Sequence, residues 1–293
     1  MEESRKVETN AHKKRSQWEM VWSRLKKNKA AMAGLIIIII LIFTAIFADI
    51  IAPYGYDDQN LVNRLQTPSA EHIMGTDHLG RDIFSRIVFG SRVSLQVGII
   101  SIGIATIVGG FLGAIAGYYG NKLDNVIMRL MDILLAIPGI LLAISIVATL
   151  GPGITNLMIA VGIGAIPAEA RIIRASILTV RDQEFVEAAK AVGTKDFRII
   201  TKHIIPNAIA PIIVQSTLGV AGAILSAAGL SFIGLGIQPP SPEWGAMLSE
   251  GRTHLRDHPH ITTFPGLAIM ITIFALNLFG DGLRDALDPR LKD

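Results

Sequence analysis

Long uninterrupted apolar runs constrain the fold of this chain more than any other feature. The stretch "GLIIIIILIFTAIF", Gly34 to Phe47, holds no charged side chain. A helix needs about 20 mostly apolar residues to cross a bilayer, and it satisfies its own backbone hydrogen bonds on the way. Six runs read as such spans: 31–51, 93–118, 133–150, 154–173, 208–233 and 264–279. They are continuous rather than alternating at every second residue, which argues against a β-barrel. The composition agrees: 51% of residues are apolar and 17% charged, against roughly a quarter charged in soluble domains. The fold class expected is all-α, a polytopic membrane protein with six transmembrane helices.

There is no cysteine, so disulfides, iron–sulfur clusters and thiol catalysis are excluded. The formal charge of +3 does not signal nucleic acid, because excess Lys and Arg in a membrane protein sets orientation. With the N-terminus inside, residues 1–29, 119–129, 171–207 and the C-terminal segment hold 9, 2, 7 and 3 basic residues, which is 21 of the 27. Both termini and the 171–207 segment are therefore expected in the cytoplasm.

Four parts follow. Residues 1–29 are a cytoplasmic tail, in which Trp18, Val21, Trp22 and Leu25 suggest a helix lying at the lipid interface; its first half reads equally as a solvated lead-in. Residues 30–92 hold the first span, expected to be retained rather than cleaved as a leader, and a polar extracytoplasmic connection. Residues 93–286 form the core with a cytoplasmic hairpin at 180–207, and 287–293 are a cytoplasmic tail.

The hairpin, "VRDQEFVEAAKAVGTKDFRIITKHIIPN", is the most informative stretch. A first helix is expected to start at Asp182 as N-cap, with Glu184 and Glu187 favourable against the helix dipole. Phe185, Ala188, Ala189 and Val192 fall on one stripe. Gly193 breaks the helix. Thr194 is expected to cap a second helix in which Phe197, Ile200 and Ile204 share a face, and Pro206 suits the first turn of the next span. A plain connection takes about 2–8 residues, so two apolar stripes in a longer segment point to a docking element for a cytoplasmic partner.

Other features divide between roles. Pro138, Pro167 and Pro211 are possible kinks around a pore, although proline is common in membrane helices. The span at 208–233 is rich in small residues, which permit close packing; with Gln215, Ser216, Gly219, Gly222 and Ser226 it is also the candidate pore lining and gate. Glu169, Arg171 and Arg174 are expected at the cytoplasmic end as a structural ion-pair group, with Asp132 marking the inner end of its span, so the centres of the spans are read as free of carboxylates. His254, His258 and His260 read as an exposed loop rather than a metal site, because Pro259 interrupts any regular face.

Glu187-Ala188-Ala189, Gly193 and Ile205-Pro206 resemble the "EAA" loop of importer-type ABC permeases. His203 and Ile205 depart from that pattern, which has Ile and Leu there, but "KHIIPN" is close to the form of the peptide and nickel branch. "GTDHLGRDIFSR", "LSFIGLGIQPPSPEWG" and "GDGLRDALDPRL" resemble the C-type permease subunits of dipeptide, oligopeptide and nickel importers. The resemblance implies a type I ABC importer permease fold in a bacterial or archaeal cell membrane. It implies ATPase coupling through Phe185, Glu187, Ala188, Ala189, Lys190, Val192, Gly193, Thr194, Phe197, Ile200, His203, Ile205 and Pro206. The implied partners are a homologous B-type permease subunit, two ABC ATPase subunits and an extracytoplasmic peptide-binding protein, with lipid around the spans and no nucleic acid. No Gly-x-x-x-x-Gly-Lys-Ser/Thr occurs here, so ATP and Mg would be held by the partners, and the chain itself would bind no cofactor and catalyse nothing. A nickel or glutathione importer is the alternative within the family. A stand-alone secondary carrier, which would want intramembrane carboxylates, is the rival outside it.

Overall fold

The computed structural model describes residues 17–288. The tail before Gln17, the side chain of Trp18 and the last five residues lie outside the described residues, and with them the end of the "GDGLRDALDPRL" motif. Among the described residues the secondary structure is helical, apart from one isolated antiparallel bridge between Thr76 and Asp82.

In chain order the helices are α1 Gln17–Lys27, α2 Lys29–Ile46, α3 Ala48–Ile51, α4 Ile83–Tyr119, α5 Asn121–Ala136, α6 Gly139–Leu150, α7 Ile154–Val180, α8 Glu184–Ala191, α9 Asp196–Ile199, α10 Ile205–Phe232, α11 Trp244–Gly251 and α12 His260–Leu287. Five helices are long and apolar enough to cross a bilayer, one of them running from Asp196 to Phe232; α5 and α6, bent by 87° to each other, make a sixth span if taken as one.

Three boundaries differ from expectation, each for a local reason. Helix α4 starts at Ile83 rather than 93, because the Asp82 carboxylate accepts from the Ser85 backbone N–H at 2.7 Å and caps a helix whose first two turns bury Ser85 and Arg86 beside Ile83 and Val88. The span expected at 133–150 is split: Pro138 cannot donate to a preceding turn and sits at the corner between α5 and α6. By contrast α7 and α10 continue through Pro167 and Pro211. The hairpin's second helix does not stop before the next span, since one π-helical turn, Ile200–Ile204, joins α9 directly to α10.

The pair α4 and α7 forms the frame. On α4, Gly109, Gly113 and Gly117 recur at four-residue spacing and face α7; a Cβ at Gly109 would lie 2.8 Å from the Ile166 carbonyl oxygen, and one at Gly113 would strike the Ala170 carbonyl. Backbones this close need glycine, because apolar side chains gain nothing by leaving lipid and packing itself must hold the helices. The wall of the interior is built by Val97 and Ile102 of α4, Leu157 and Val161 of α7, and Ala223 and Leu230 of α10. Outside this frame α12 packs on α2 and α10, and α1 lays Val21 and Leu25 against Leu283 and Ala286 of α12.

Candidate functional site

Three regions carry the polar and irregular features: the hairpin, a cavity in the bundle, and the cap made by residues 52–82 and 234–259.

In the hairpin, α8 ends in a Schellman closure. The Thr194 N–H donates to the Ala189 carbonyl at 3.1 Å and the Gly193 N–H to Lys190 at 2.9 Å, with Gly193 at φ +75°. That left-handed conformation is why glycine stands there. The two predicted caps are corrected. Gln183, not Asp182, occupies the N-cap of α8, and Asp182 instead accepts from Arg181 at 3.1 Å; Lys195, not Thr194, precedes α9.

The apolar stripes are also redrawn. Val186, Ala189, Ile199 and Ile204 face inward and pack with Ile173, Ile177 and Val180 of α7, with Ile200 beside them. Phe197 does not share the inward face: it is 78% exposed and Val192 80%, with Phe185, Glu187, Ala188 and Lys190 exposed too. The 100° step of the helix puts Val186 and Ala189 inside, so of the expected stripe Ala189 is buried while Phe185, Ala188 and Val192 point out. Tyr118 at the end of α4 pins the hairpin by donating to Asp196 at 2.8 Å, with the Lys190 ammonium 5.6 Å above its ring. His203 and Ile205 are half-buried where the chain enters α10, and Pro206 is exposed.

The cavity, of about 290 Å³, lies between α6, α7 and α10 with Ile102 of α4. Gln215, Gly219, Gly222 and Ser226 all line it; Ser216 does not, and its hydroxyl lies 3.0 Å from that of Thr106. Glu169 also lines it, which corrects the expectation of an ion-pair group at the cytoplasmic end. Arg171 instead donates to Asp132 at 2.7 Å and Arg174 to Asp124, while Glu169 is 1% exposed beside the Thr106 and Ser216 hydroxyls. On α7, Glu169 and Arg171 are two residues apart and so point about 200° apart. The spans are thus not free of buried carboxylate.

The cap is held by charges that the sequence reading left unassigned. Arg81 donates to Asp77 at 2.6 Å, and both Arg81 and Arg86 donate to Glu250 Oε2 at 2.9 Å. The His72 ring lies 2.9 Å from Asp82. Arg81 and Arg86 are each 1% exposed. These pairs tie the 52–82 connection, the start of α4 and helix α11 into one body. The i,i+4 spacing of Asp77 and Arg81 was the available signal; Glu250, far away in sequence, gave none. Glu243 caps α11 by accepting from Ala246 at 2.8 Å, and burial pushes its carboxyl upward. The rings of His78, His254, His258 and His260 follow one another at 6.0, 6.5 and 6.0 Å, and no group of three or more ligand side chains able to hold a metal occurs among the described residues.

Residues 109–293 match the family model of the binding-protein-dependent transport system inner membrane component, and residues 16–68 that of the N-terminal transmembrane domain of oligopeptide transport permease C. The chain is 53% identical over 277 residues to the dipeptide transport system permease protein DppC of Alkalihalophilus pseudofirmus, covering 94% of this chain and 91% of that protein. It is 48% identical over 282 residues to the glutathione transport system permease protein GsiD of Escherichia coli, covering 95% and 92%. Among solved structures it resembles an inward-facing MetNI methionine ABC transporter (TM-score 0.58, 18% identity, 69% of this chain and 96% of that one). It also resembles an amino acid ABC transporter with histidines (TM-score 0.53, 19% identity, 71% and 95%). At such identities these two speak for the fold alone.

Proposed function

Because the chain belongs to the family of binding-protein-dependent transport system inner membrane components and is a permease subunit of an ABC importer, we propose that it forms half of a pathway for di- or oligopeptides. The pathway is driven by two ATPase subunits, one of which receives this hairpin. The observation that carries the coupling is the division of the hairpin into a buried face and an exposed one. Val186, Ile199 and Ile204 lock it to α7, while Val192 and Phe197 stand in solvent on either side of the Gly193 closure. Exposed apolar anchors on a rigid frame suit a hydrophobic cleft in a partner. A push on α9 passes through the π turn into α10 without an intervening loop, and α10 lines the cavity.

A homologous permease subunit supplies the other half, and an external peptide-binding protein docks on the cap. ATP and Mg belong to the ATPases. The dipeptide relative at 53% identity favours peptide over glutathione at 48%; both are amino-terminated substrates. Both termini lie in the cytoplasm, by the distribution of basic residues.

The test is reconstitution in vesicles. With partner permease, ATPases and binding protein, dipeptide uptake is expected only with ATP; this chain alone neither hydrolyses ATP nor moves peptide. Uptake by the isolated chain under a proton gradient would replace the reading with a secondary carrier, and competition by micromolar nickel would point to a metal importer. Orientation is read with single cysteines. Those at Ser69 and Ser241 react with an impermeant thiol reagent in intact cells and one at Thr194 does not; the reverse pattern overturns the topology.

A further inference from the structure

Glu169 is the one feature of the cavity that the coupling scheme leaves without a task. Among the described residues its carboxylate forms no ion pair: Arg171 and Arg174 are committed to Asp132 and Asp124. Its neighbours are two hydroxyls, of Thr106 and Ser216. Those two hydroxyls lie 3.0 Å apart and one donates to the other, which leaves a single O–H for a group with about four acceptor positions. Among the described residues Oε2 has no hydrogen-bond partner, in a side chain that is 1% exposed. An ionisable group so placed inside a membrane bundle is a functional suspect whose partner has to be found.

The walls around it narrow the choice of partner. Ile102, Ile140, Val161 and Leu230 present apolar side chains, Gly139, Gly164, Gly219 and Gly222 present backbone, and Gln215 and Ser226 are the other polar side chains on the lining. Apart from Glu169 such a wall offers a substrate no charge. What remains to be recognised is a group that every substrate carries. A dipeptide and glutathione, named for the two relatives above, both carry a free α-ammonium.

We propose that Glu169 is a binding subsite for the primary ammonium group of a peptide in transit through the cavity. This rests on the reading of the chain as a peptide permease. The subsite is closed in the present conformation and is uncovered when α10, which carries Ser216 and Gly219, moves away from α7. Glu169 then exchanges its one hydroxyl donor for the three N–H donors of an ammonium, a charge-assisted set that satisfies it far better.

The test uses the assembled complex in vesicles and a reporter one turn from the carboxylate. A Cβ at Gly219 would lie 3.5 Å from Glu169 Oε1, and one at Gly222 meets nothing within 4 Å, so cysteine fits at Gly222. The chain has no other cysteine. Labelling rates of Gly222→Cys are compared for thiosulfonate reagents bearing an ammonium, no charge or a sulfonate. With Glu169 the ammonium reagent is expected to react about tenfold faster than the sulfonate, the effect of one nearby charge on a partly screened ion; with Glu169→Gln the ratio falls to near one. Millimolar dipeptide with a free amino group slows labelling, its N-acetyl form does not, and Glu169→Gln abolishes the protection. An unchanged ratio, equal protection by the N-acetyl peptide, protection by nickel alone, or no labelling by any reagent overturns the subsite. Uptake with ATP, measured on the same vesicles with Glu169 and Gly222 intact, reports separately on the permease reading.

Discussion

Replacing Glu250 by Gln tests whether charge holds the cap to the bundle. Glu250 Oε2 accepts from both Arg81 and Arg86 at 2.9 Å, and Asp77 completes a neutral group of two cations and two anions. Both guanidinium side chains are 1% exposed and Glu250 13%, so solvent screens little. Removing one anion leaves a net positive charge where water does not reach, and breaking a buried pair in this way costs about 3–5 kcal/mol. The Leu65, Thr76, Asp77 and Gly80 amides belong to the turns that these charges fix. Their hydrogen exchange in the purified protein should therefore accelerate about a hundredfold or more, each factor of ten corresponding to about 1.4 kcal/mol. Arg86→Met combined with Glu250→Leu removes one charge of each sign and should recover most of the loss. The exposed Arg92–Asp49 pair at 3.0 Å is the control; Asp49→Asn should cost less than about 1 kcal/mol. Exchange within threefold of the native rate in Glu250→Gln would refute the claim that charge, rather than the apolar contacts of Trp244 and Ile83, locks the cap.

Gly113→Leu should drive α4 and α7 apart, because its side chain meets the Ala170 carbonyl. A loss of about 3 kcal/mol or more is expected, read as lowered thermal stability in detergent; a native-like transition would contradict the packing. Gly193→Val forces a β-branched residue to φ +75° at a site with no steric neighbour. The cost is therefore local, about 1–2 kcal/mol; the protein should insert normally, and ATP-dependent uptake and ATPase copurification should fall, as for Glu187→Lys. Native levels of both would remove the hairpin as the coupling element. The Glu243 carboxyl is raised above its ordinary 4.5 by burial, so the folded chain holds that proton more tightly than the unfolded one. The stability it contributes is full below the ordinary carboxylate value and is lost as pH rises through the raised one. Glu243→Gln keeps an acceptor for the Ala246 amide without the charge and should gain on the native protein as pH rises; parallel pH profiles of melting would refute this.

Five of the spans were legible as single helices, and the sixth corresponds to the bent pair α5 and α6, because a bilayer leaves a chain few solutions. Each run long enough to cross appears as one helix except that at 133–150, which Pro138 divides between α5 and α6, because in lipid a helix satisfies its own backbone. Gly193 was equally legible, since a positive φ closing α8 is a demand that one residue meets. Of the five pore candidates, Gln215, Gly219, Gly222 and Ser226 share a helical spacing that places them on one cavity wall, and Ser216, one step off it, faces Thr106. The orientation of α8 was not legible: its apolar residues suffice for two stripes, and only the packing of Val186 against α7 decides which one remains free. Nor was the environment of Glu169. Two residues separate it from Arg171, but a helix sends them to different sides, and the ion pairs formed with Asp124 and Asp132 on α5 are settled by where α5 turns at Pro138. Glu250 lies 164 residues from Arg86, and no local pattern records a charge that distant. Sequence determined what had to be helical and where glycine was required, because those demands act through the chain itself and its solvent. Which faces were covered, and which charge met which, waited on the tertiary fold, because those demands act through space.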